Sequence, residues 1–332
     1  MQKYLVVSVG SIGLRHLNNL RKLRPTSVIA ALRLNSPQDA LTPEGCDLQF
    51  FNLDDVQHFS PNAAIIASPA STHTELTDKL VRMRVPVLVE KPFSDSLERL
   101  QDIANFASLH HIPIMIGYNL RFKASLLEVR KRILSGLIGD VLYVRASVGQ
   151  YLPDWRPNSD YRKNVSAQKT LGGGALLELS HEIDYIYWIF GKPKQVSCRG
   201  AKLSSLEIDV EDVVELCLEY ENPKRIISIH LDFIQRKVAR TCSFIGTDGT
   251  LIWDGLKDTI EIFNVNSNST EIVDAFGLSD GNQPYVDELE HFLQCVETGA
   301  EPIINATQGI DVMAIIVAAK KSMDSNSTEF LS

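Results

Sequence analysis

Leu5-Val6-Val7-Ser8-Val9-Gly10-Ser11-Ile12-Gly13-Leu14-Arg15-His16 is the stretch that decides the fold. An apolar, β-branched run over 4–9 turns through two glycines into an amphipathic pattern over 12–23. That is the strand–turn–helix corner that opens a parallel α/β sheet. Gly10 lets a ligand's phosphates approach the backbone, and Gly13 lets the helix pack closely on the strand. The helix N-terminus adds unpaired N–H groups and a partial positive charge. Ser8, Gly10, Ser11, Ile12 and Gly13 are therefore expected to cradle a dinucleotide, although Ser8 replaces the glycine with which such turns usually begin. The same corner also occurs in α/β proteins that bind no dinucleotide.

Working outward, apolar runs at 28–32, 63–67, 85–89 and 112–116 alternate with helical patterns at 74–83 and 97–109. Strands separated by helices predict a doubly wound parallel sheet buried on both faces. The second strand ends Ala31-Leu32-Arg33-Leu34-Asn35-Ser36, with no carboxylate where an NAD-selective site places one on the ribose. Arg33, Asn35 and Ser36 can instead hold a 2′-phosphate, or Arg33 can stack on adenine and leave the choice open. The cofactor expected is NAD(P), with NADP favoured.

After Arg121 the rhythm changes. A helical pattern at 125–134 precedes a strand at 141–148, a polar loop over 151–171 and a helix over 175–190. The text from 195 to 273 is then strand-like, with runs at 213–220, 225–234, 240–245, 250–253 and 259–264 broken by turn residues. Consecutive strands with turns between them predict a large open, mostly antiparallel sheet. Helical patterns at 285–297 and 306–321 finish the chain. The expected division is a dinucleotide-binding domain over 1–120 and a substrate-binding and oligomerisation domain over 121–332. The 306–321 helix belongs to the second or packs back on the first.

Composition narrows the function classes. A chain of 332 residues exceeds what one ordinary core fills. A net charge of −8 with no basic stripe excludes nucleic acid and anionic membranes as expected partners. Cys46, Cys198, Cys217, Cys242 and Cys295 are scattered without ligand spacing, so free thiols and no metal are expected. The N-terminus runs straight into a strand, and no apolar run is long enough to span a bilayer. A cytoplasmic protein is expected.

Three further motifs sit at strand ends: Ser68-Pro69-Ala70-Ser71-Thr72-His73, Glu90-Lys91-Pro92 and Gly117-Tyr118-Asn119-Leu120-Arg121-Phe122. A fourth is Gly172-Gly173-Gly174-Ala175-Leu176-Leu177-Glu178-Leu179-Ser180-His181-Glu182-Ile183-Asp184. With the N-terminal turn, this set resembles the glucose–fructose oxidoreductase / inositol dehydrogenase (Gfo/Idh/MocA) family. The resemblance implies a Rossmann domain, then an α/β domain with an open sheet, and a nicotinamide lying between them against the Glu90-Lys91-Pro92 turn. The family's lysine corresponds to Lys91 and its active-site histidine to His181. In relatives the peptide before this proline is often cis, aiming the lysine at the cleft. Ser68, Pro69, His73, Glu90, Lys91 and Asn119 would complete the cofactor site. Many relatives carry an aspartate four residues before the histidine. Here that position is Leu177, and Glu178, one helical turn from His181, is the substitute candidate.

Oxidising a secondary alcohol needs a base for the hydroxyl proton and a cation for the developing alkoxide. His181 suits the first task, with an unperturbed pKa of about 6.5. Lys91 suits the second, or becomes the base itself if a neighbouring cation or burial lowers its pKa. The reaction expected is hydride transfer between nicotinamide and a sugar alcohol. Tyr118, Arg121, Trp155, Arg156, Tyr161, Arg162, Glu178 and Asp184 are the candidate substrate contacts. Two of these have local alternatives: Arg121 can pair with an acidic neighbour, and Asp184 can belong to a structural network. Arg156, Arg162, Lys163 and Lys169 make the 151–171 loop basic within an acidic chain. Arginine forks suit carboxylate or phosphate, and aromatics suit sugar faces. An anionic or nucleotide-linked sugar is expected, and the resemblance points to surface-polysaccharide biosynthesis. A regulator that binds the dinucleotide without turnover, and a redox-neutral epimerase or glycosidase with bound NAD, are the alternatives. An open sheet with one bare face implies a homodimer or homotetramer.

Overall fold

The computed structural model describes residues 1–34, 37, 40–274 and 281–331. Asn35 and Ser36, two of the candidate ribose-side contacts, lie outside the described residues. The chain divides into two compact units, Met1–Asn119 with Asn282–Ile310, and Leu120–Gly281 with Asp311–Ser332.

The first unit is built on six parallel strands: β1 (Lys3–Val7), β2 (Val28–Leu32), β3 (Leu48–Phe50), β4 (Ala63–Ile66), β5 (Val87–Glu90) and β6 (Ile114–Gly117). Their order is β3-β2-β1-β4-β5-β6, so the chain reverses direction of travel on either side of β1. β4, β5 and β6 are buried at every position, as strands covered on both faces must be. α1 (Ser11–Leu23), α2 (Leu53–Phe59), α3 (His73–Arg82) and α4 (Leu100–Leu109) make the connections. Strands β5 and β6 start two residues later than the apolar runs suggest. Pro86 and Pro113 lack the N–H that a ladder needs and instead give only their carbonyls, to Ala64 and Val87.

The second unit opens with α5 (Ala124–Leu134) and β7 (Val141–Gly149), then α6 (Ala175–Glu178) and α7 (His181–Phe190). Seven strands follow: β8 (Gln195–Ala201), β9 (Val213–Glu221), β10 (Lys224–Asp232), β11 (Ala239–Gly246), β12 (Gly249–Asp254), β13 (Thr259–Asn264) and β14 (Ser269–Val273). With β15 (Glu329–Phe330) they form a nine-stranded sheet, β14-β13-β12-β11-β7-β10-β9-β8-β15. All its pairs are antiparallel except β7 with β10, which run parallel. One face packs a core of Val144, Ala146, Ile227, Ile229, Phe244, Leu251 and Trp253. The other face bears the partly exposed Ile226, Ile245, Ile252 and Phe263.

Two expectations are corrected here. The helical stretch over 175–190 is two helices, broken at Leu179 and Ser180. The 282–310 segment, which the sequence reading gave to the second domain, belongs to the first unit. There α8 (Gln283–Thr298) packs on α1, joined by reciprocal side-chain hydrogen bonds between Asn19 and Asn282. α9 (Ala306–Ser325) is divided between the units at Ile310: Gly309 lies against Ile116, while Ser322 Oγ accepts from Cys198 N at 2.9 Å. Among the described residues no helix is long and apolar enough to cross a membrane.

Candidate active site

The turn after β1 lies where strand order reverses, the position at which doubly wound sheets bind ligands. A Cβ on Gly13 would stand 2.0 Å from the Ser8 carbonyl oxygen, so α1 can meet β1 this closely only with glycine there. Gly10 is the opposite case. Among the described residues nothing lies within 4 Å of its would-be Cβ, and it is exposed with Ser11. Ser8 takes the left-handed φ of +69° that the usual glycine would adopt, and its N–H donates to Leu32 O at 2.9 Å. No side chain caps α1, and its first turn holds no acidic residue. An uncapped 13-residue helix beneath an open glycine fits a pyrophosphate: free N–H donors, a favourable dipole and room to approach.

The strand ends beside this turn carry the other motifs. His73, 1% exposed, points Nε2 at Ser68 O (2.8 Å) and Nδ1 at Pro92 O (3.0 Å). It thereby sits between the loop after β4 and the loop after β5; burial pulls its pKa below the ordinary histidine value, and the neutral ring gives its one N–H to one of the two carbonyls. Ser68 Oγ shares a 2.6 Å hydrogen bond with Thr72 Oγ1, which fixes the Ser68-Pro69 turn. At the end of β5, Glu90 Oε1 accepts from His16 Nε2 at 2.7 Å, with the His16 ring inaccessible to solvent. Burial pushes the Glu90 carboxyl up, but the His16 hydrogen bond and the charges of His16 and Lys91 outweigh it and hold it below the usual carboxylate range. Lys91 follows, half-buried, on a cis Lys91–Pro92 peptide. Tyr118 and Asn119, after β6, are both buried. Arg33 gives Nη1 to Leu41 O (2.9 Å) and, more weakly, to Gln49 Oε1 (3.4 Å).

Sequence reasoning gave no hint of one partner in this unit. Tyr285, from α8, meets the His16 ring edge-on with centroids 6.1 Å apart, and the Arg15 guanidinium lies 4.5 Å from the Tyr285 centroid. No local pattern links positions so distant in the chain.

In the second unit, the glycine run is a packing device. A Cβ on Gly173 would meet Val165 O at 2.3 Å, and one on Gly174, whose φ is +108°, would meet the Glu211 carboxylate. Glu211 Oε1 accepts Leu176 N at 3.0 Å and so caps α6. His181 then opens α7, partly exposed. Glu178 ends α6 and accepts from Ser166 Oγ at 2.9 Å. The two residues are therefore not one turn apart on a continuous helix, and the face-sharing argument for Glu178 fails. Glu182, wholly buried, accepts from Arg240 Nε at 2.8 Å.

Arg121 and Asp184 are spent on each other. Nε and Nη2 of Arg121 donate to the two carboxylate oxygens at 3.0 and 2.7 Å, and neither side chain is more than 1% exposed. The fork ties the start of the unit to α7 and takes both residues away from the surface. In the 151–171 loop, Trp155 Nε1 donates to Gln150 O (3.1 Å) and its ring meets Phe233 edge-on. Tyr161 Oη accepts from Glu207 N (3.1 Å), while Arg162 is neutralised by Asp160 and Glu207. Arg156 is exposed and makes no side-chain ion pair among the described residues.

Comparison with known proteins agrees with this architecture. Residues 2–118 match the oxidoreductase family model described as an NAD-binding Rossmann fold, and residues 126–252 match the GFO/IDH/MocA C-terminal domain. An inositol 2-dehydrogenase of Rhizobium meliloti is 25% identical over 268 residues, 79% of this chain and 78% of its own. Levoglucosan dehydrogenase, solved with NADH and levoglucosan, superposes with a TM-score of 0.85 over 99% of both chains at 18% identity. The WlbA dehydrogenase from Bordetella pertussis, solved with NADH and UDP-GlcNAcA, gives 0.82 over 99% of this chain and 98% of its own at 19%. At such identities the likeness to the solved structures is one of fold. The chain belongs to the Gfo/Idh/MocA oxidoreductase family, with its NAD-binding Rossmann fold.

Proposed function

We propose that the protein is an NAD(P)-dependent dehydrogenase acting on a secondary alcohol of an anionic or nucleotide-linked sugar, of the kind used in surface-polysaccharide biosynthesis. The observation that carries the oxidoreductase reading is the open Gly10 turn over the uncapped α1 N-terminus, within a chain of this family. When bound, the nicotinamide supplies the hydride acceptor or donor. The protein's own residues do the rest. The α1 N–H groups hold the pyrophosphate, and His73 sits between the Ser68 and Pro92 loops beside it. Lys91 donates a hydrogen bond to the reacting oxygen and stabilises negative charge there. His181 takes or returns the hydroxyl proton at its imidazole.

Two features support an anionic substrate. The 151–171 loop keeps Arg156 without a counter-charge, and the named relatives act on or bind polyhydroxylated ligands, one of them an acidic nucleotide-sugar. The test is nicotinamide absorbance with NAD and NADP against uronates, nucleotide-sugars and uncharged polyols. Turnover of the anionic set above the polyols is expected. A preference for uncharged polyols would remove the anionic substrate, and cofactor binding with no turnover of any alcohol would remove the dehydrogenase.

A further inference from the structure

Arg236 was not singled out by any sequence motif, yet it makes a specific ring contact in the second unit. Its Cζ lies over the Tyr151 ring, 3.5 Å from the centroid. Among the described residues its guanidinium makes no hydrogen bond and no ion pair, and the residue is exposed. The ring contact positions the group while leaving its N–H donors unspent among the described residues.

The two loops that hold this pair are braced to one another. Gln150 N donates to Asp232 O (3.2 Å) and Leu152 N to Phe233 O (2.9 Å), prolonging the parallel β7–β10 pairing beyond the strands. The Asp232 carboxylate, 2% exposed, accepts Ile234 N at 2.8 Å and Gln235 N at 2.6 Å. Gln235 Nε2 then donates to Lys237 O at 2.7 Å, closing the turn around Arg236. The edge-on contact of Trp155 with Phe233, centroids 5.2 Å apart, seals the base of the platform.

The platform stands at the end of the sheet on which α7, opened by His181, packs. Ala239, which starts β11, pairs with Gly149 at the end of β7. The next residue, Arg240, grips Glu182, the neighbour of His181. Within this unit, the first turn of α7, which His181 opens, and the turn that holds Arg236 therefore both lie by the start of β11.

We infer that Arg236, held over the Tyr151 ring, binds an oxyanion of the substrate, carboxylate or phosphate, and sets the preference for anionic sugars. A guanidinium offers parallel N–H donors that match such groups two at a time; an ammonium offers a point charge. Orienting a long, flexible side chain is unfavourable by itself, and preorganisation returns that cost only when a partner arrives. The inference rests on the dehydrogenase reading for its kinetics but not for its binding.

The experiment compares wild type, Arg236→Gln and Arg236→Lys with glucuronate, which has only a carboxylate, UDP-glucose, which has only phosphates, and uncharged myo-inositol. Calorimetry on the NADH-loaded protein runs beside the assay. In Arg236→Gln, affinity for one anionic probe should fall about tenfold or more, the size of one lost charged hydrogen bond. Arg236→Lys should recover part of it. The probe that loses affinity identifies the oxyanion. Affinity for myo-inositol and for NADH should stay unchanged. Equal anion affinity in wild type and Arg236→Gln overturns the inference, as does failure of the wild type to bind either anion. Anion binding that depends on Arg236 in a protein that turns over no alcohol sustains it while removing the dehydrogenase.

Discussion

His16 and Glu90 meet through a 2.7 Å hydrogen bond that solvent does not reach, and that bond couples the helix behind the phosphate turn to the strand end bearing Lys91. Glu90 is an acceptor held as a carboxylate, so His16 presents Nε2–H to it and leaves Nδ1 buried without a hydrogen bond among the described residues. His16→Leu removes the donor and leaves a buried carboxylate. The expected loss is about 1–3 kcal/mol of unfolding free energy, read from chemical denaturation. It should be accompanied by weaker turnover, because the residue adjoining Lys91 has lost its anchor. Unchanged stability and rate would mean that the contact holds nothing in place.

The two glycines of the turn should separate folding from binding. Gly13→Ala puts a methyl on the Ser8 carbonyl and should lower the thermal midpoint and abolish cofactor binding together. Gly10→Ala meets no atom of the described chain, so the thermal midpoint should hold while the NAD dissociation constant rises at least about tenfold. Equal affinity in Gly10→Ala and wild type would show that the pyrophosphate does not approach here.

Asp184→Asn should be costly for a reason unrelated to chemistry. It removes the charge that Asp184 sets against the buried Arg121 guanidinium, and breaking such a buried pair costs about 3–5 kcal/mol. The double variant Arg121→Met/Asp184→Leu removes both charges and should recover most of that loss by denaturant midpoint. A single variant as stable as wild type would show that the pair is not sealed.

On the sheet of the second unit, His230 lies between Asp232 (2.9 Å) and Glu215 (2.5 Å). The hydrogen bond to Asp232 leads, burial opposes, and the bond to Glu215 adds to it, raising the imidazole to about 9. A folded pKa above the unfolded value of about 6.5 contributes stability fully present below that value and lost as pH rises through 9. Denaturation midpoints should therefore decline between about pH 6.5 and 9 in wild type and decline less in His230→Gln. Parallel profiles would refute the assignment.

The first unit was legible because its determinants are local. The Gly10–Gly13 spacing, the buried β-branched runs and the motifs at successive strand ends each act within a few residues. The open sheet was legible as a class, although the parallel β7–β10 pair was not, since pairing between strands so distant in sequence leaves no periodicity to read. The break at Leu179–Ser180 escaped the helical pattern because the apolar spacing runs through it unbroken. Arg121 and Asp184 read as candidate substrate contacts for the same reason that Arg236 was passed over: whether a charge is spent or free depends on a partner from a distant segment. The residues whose roles follow from backbone geometry were visible in the sequence; those whose roles follow from pairing were not.

The most direct measurement is steady-state turnover of Lys91→Ala and His181→Ala beside calorimetric binding of NADH to each. Both variants should lose about a hundredfold or more in kcat, the usual contribution of a positioned proton-transfer or charge-stabilising group. His181→Ala should bind NADH as wild type does and Lys91→Ala should lose at most one cofactor contact, because the phosphate turn is intact. Near-normal kcat in either variant would contradict the role given to that residue, and in both would contradict the account as a whole.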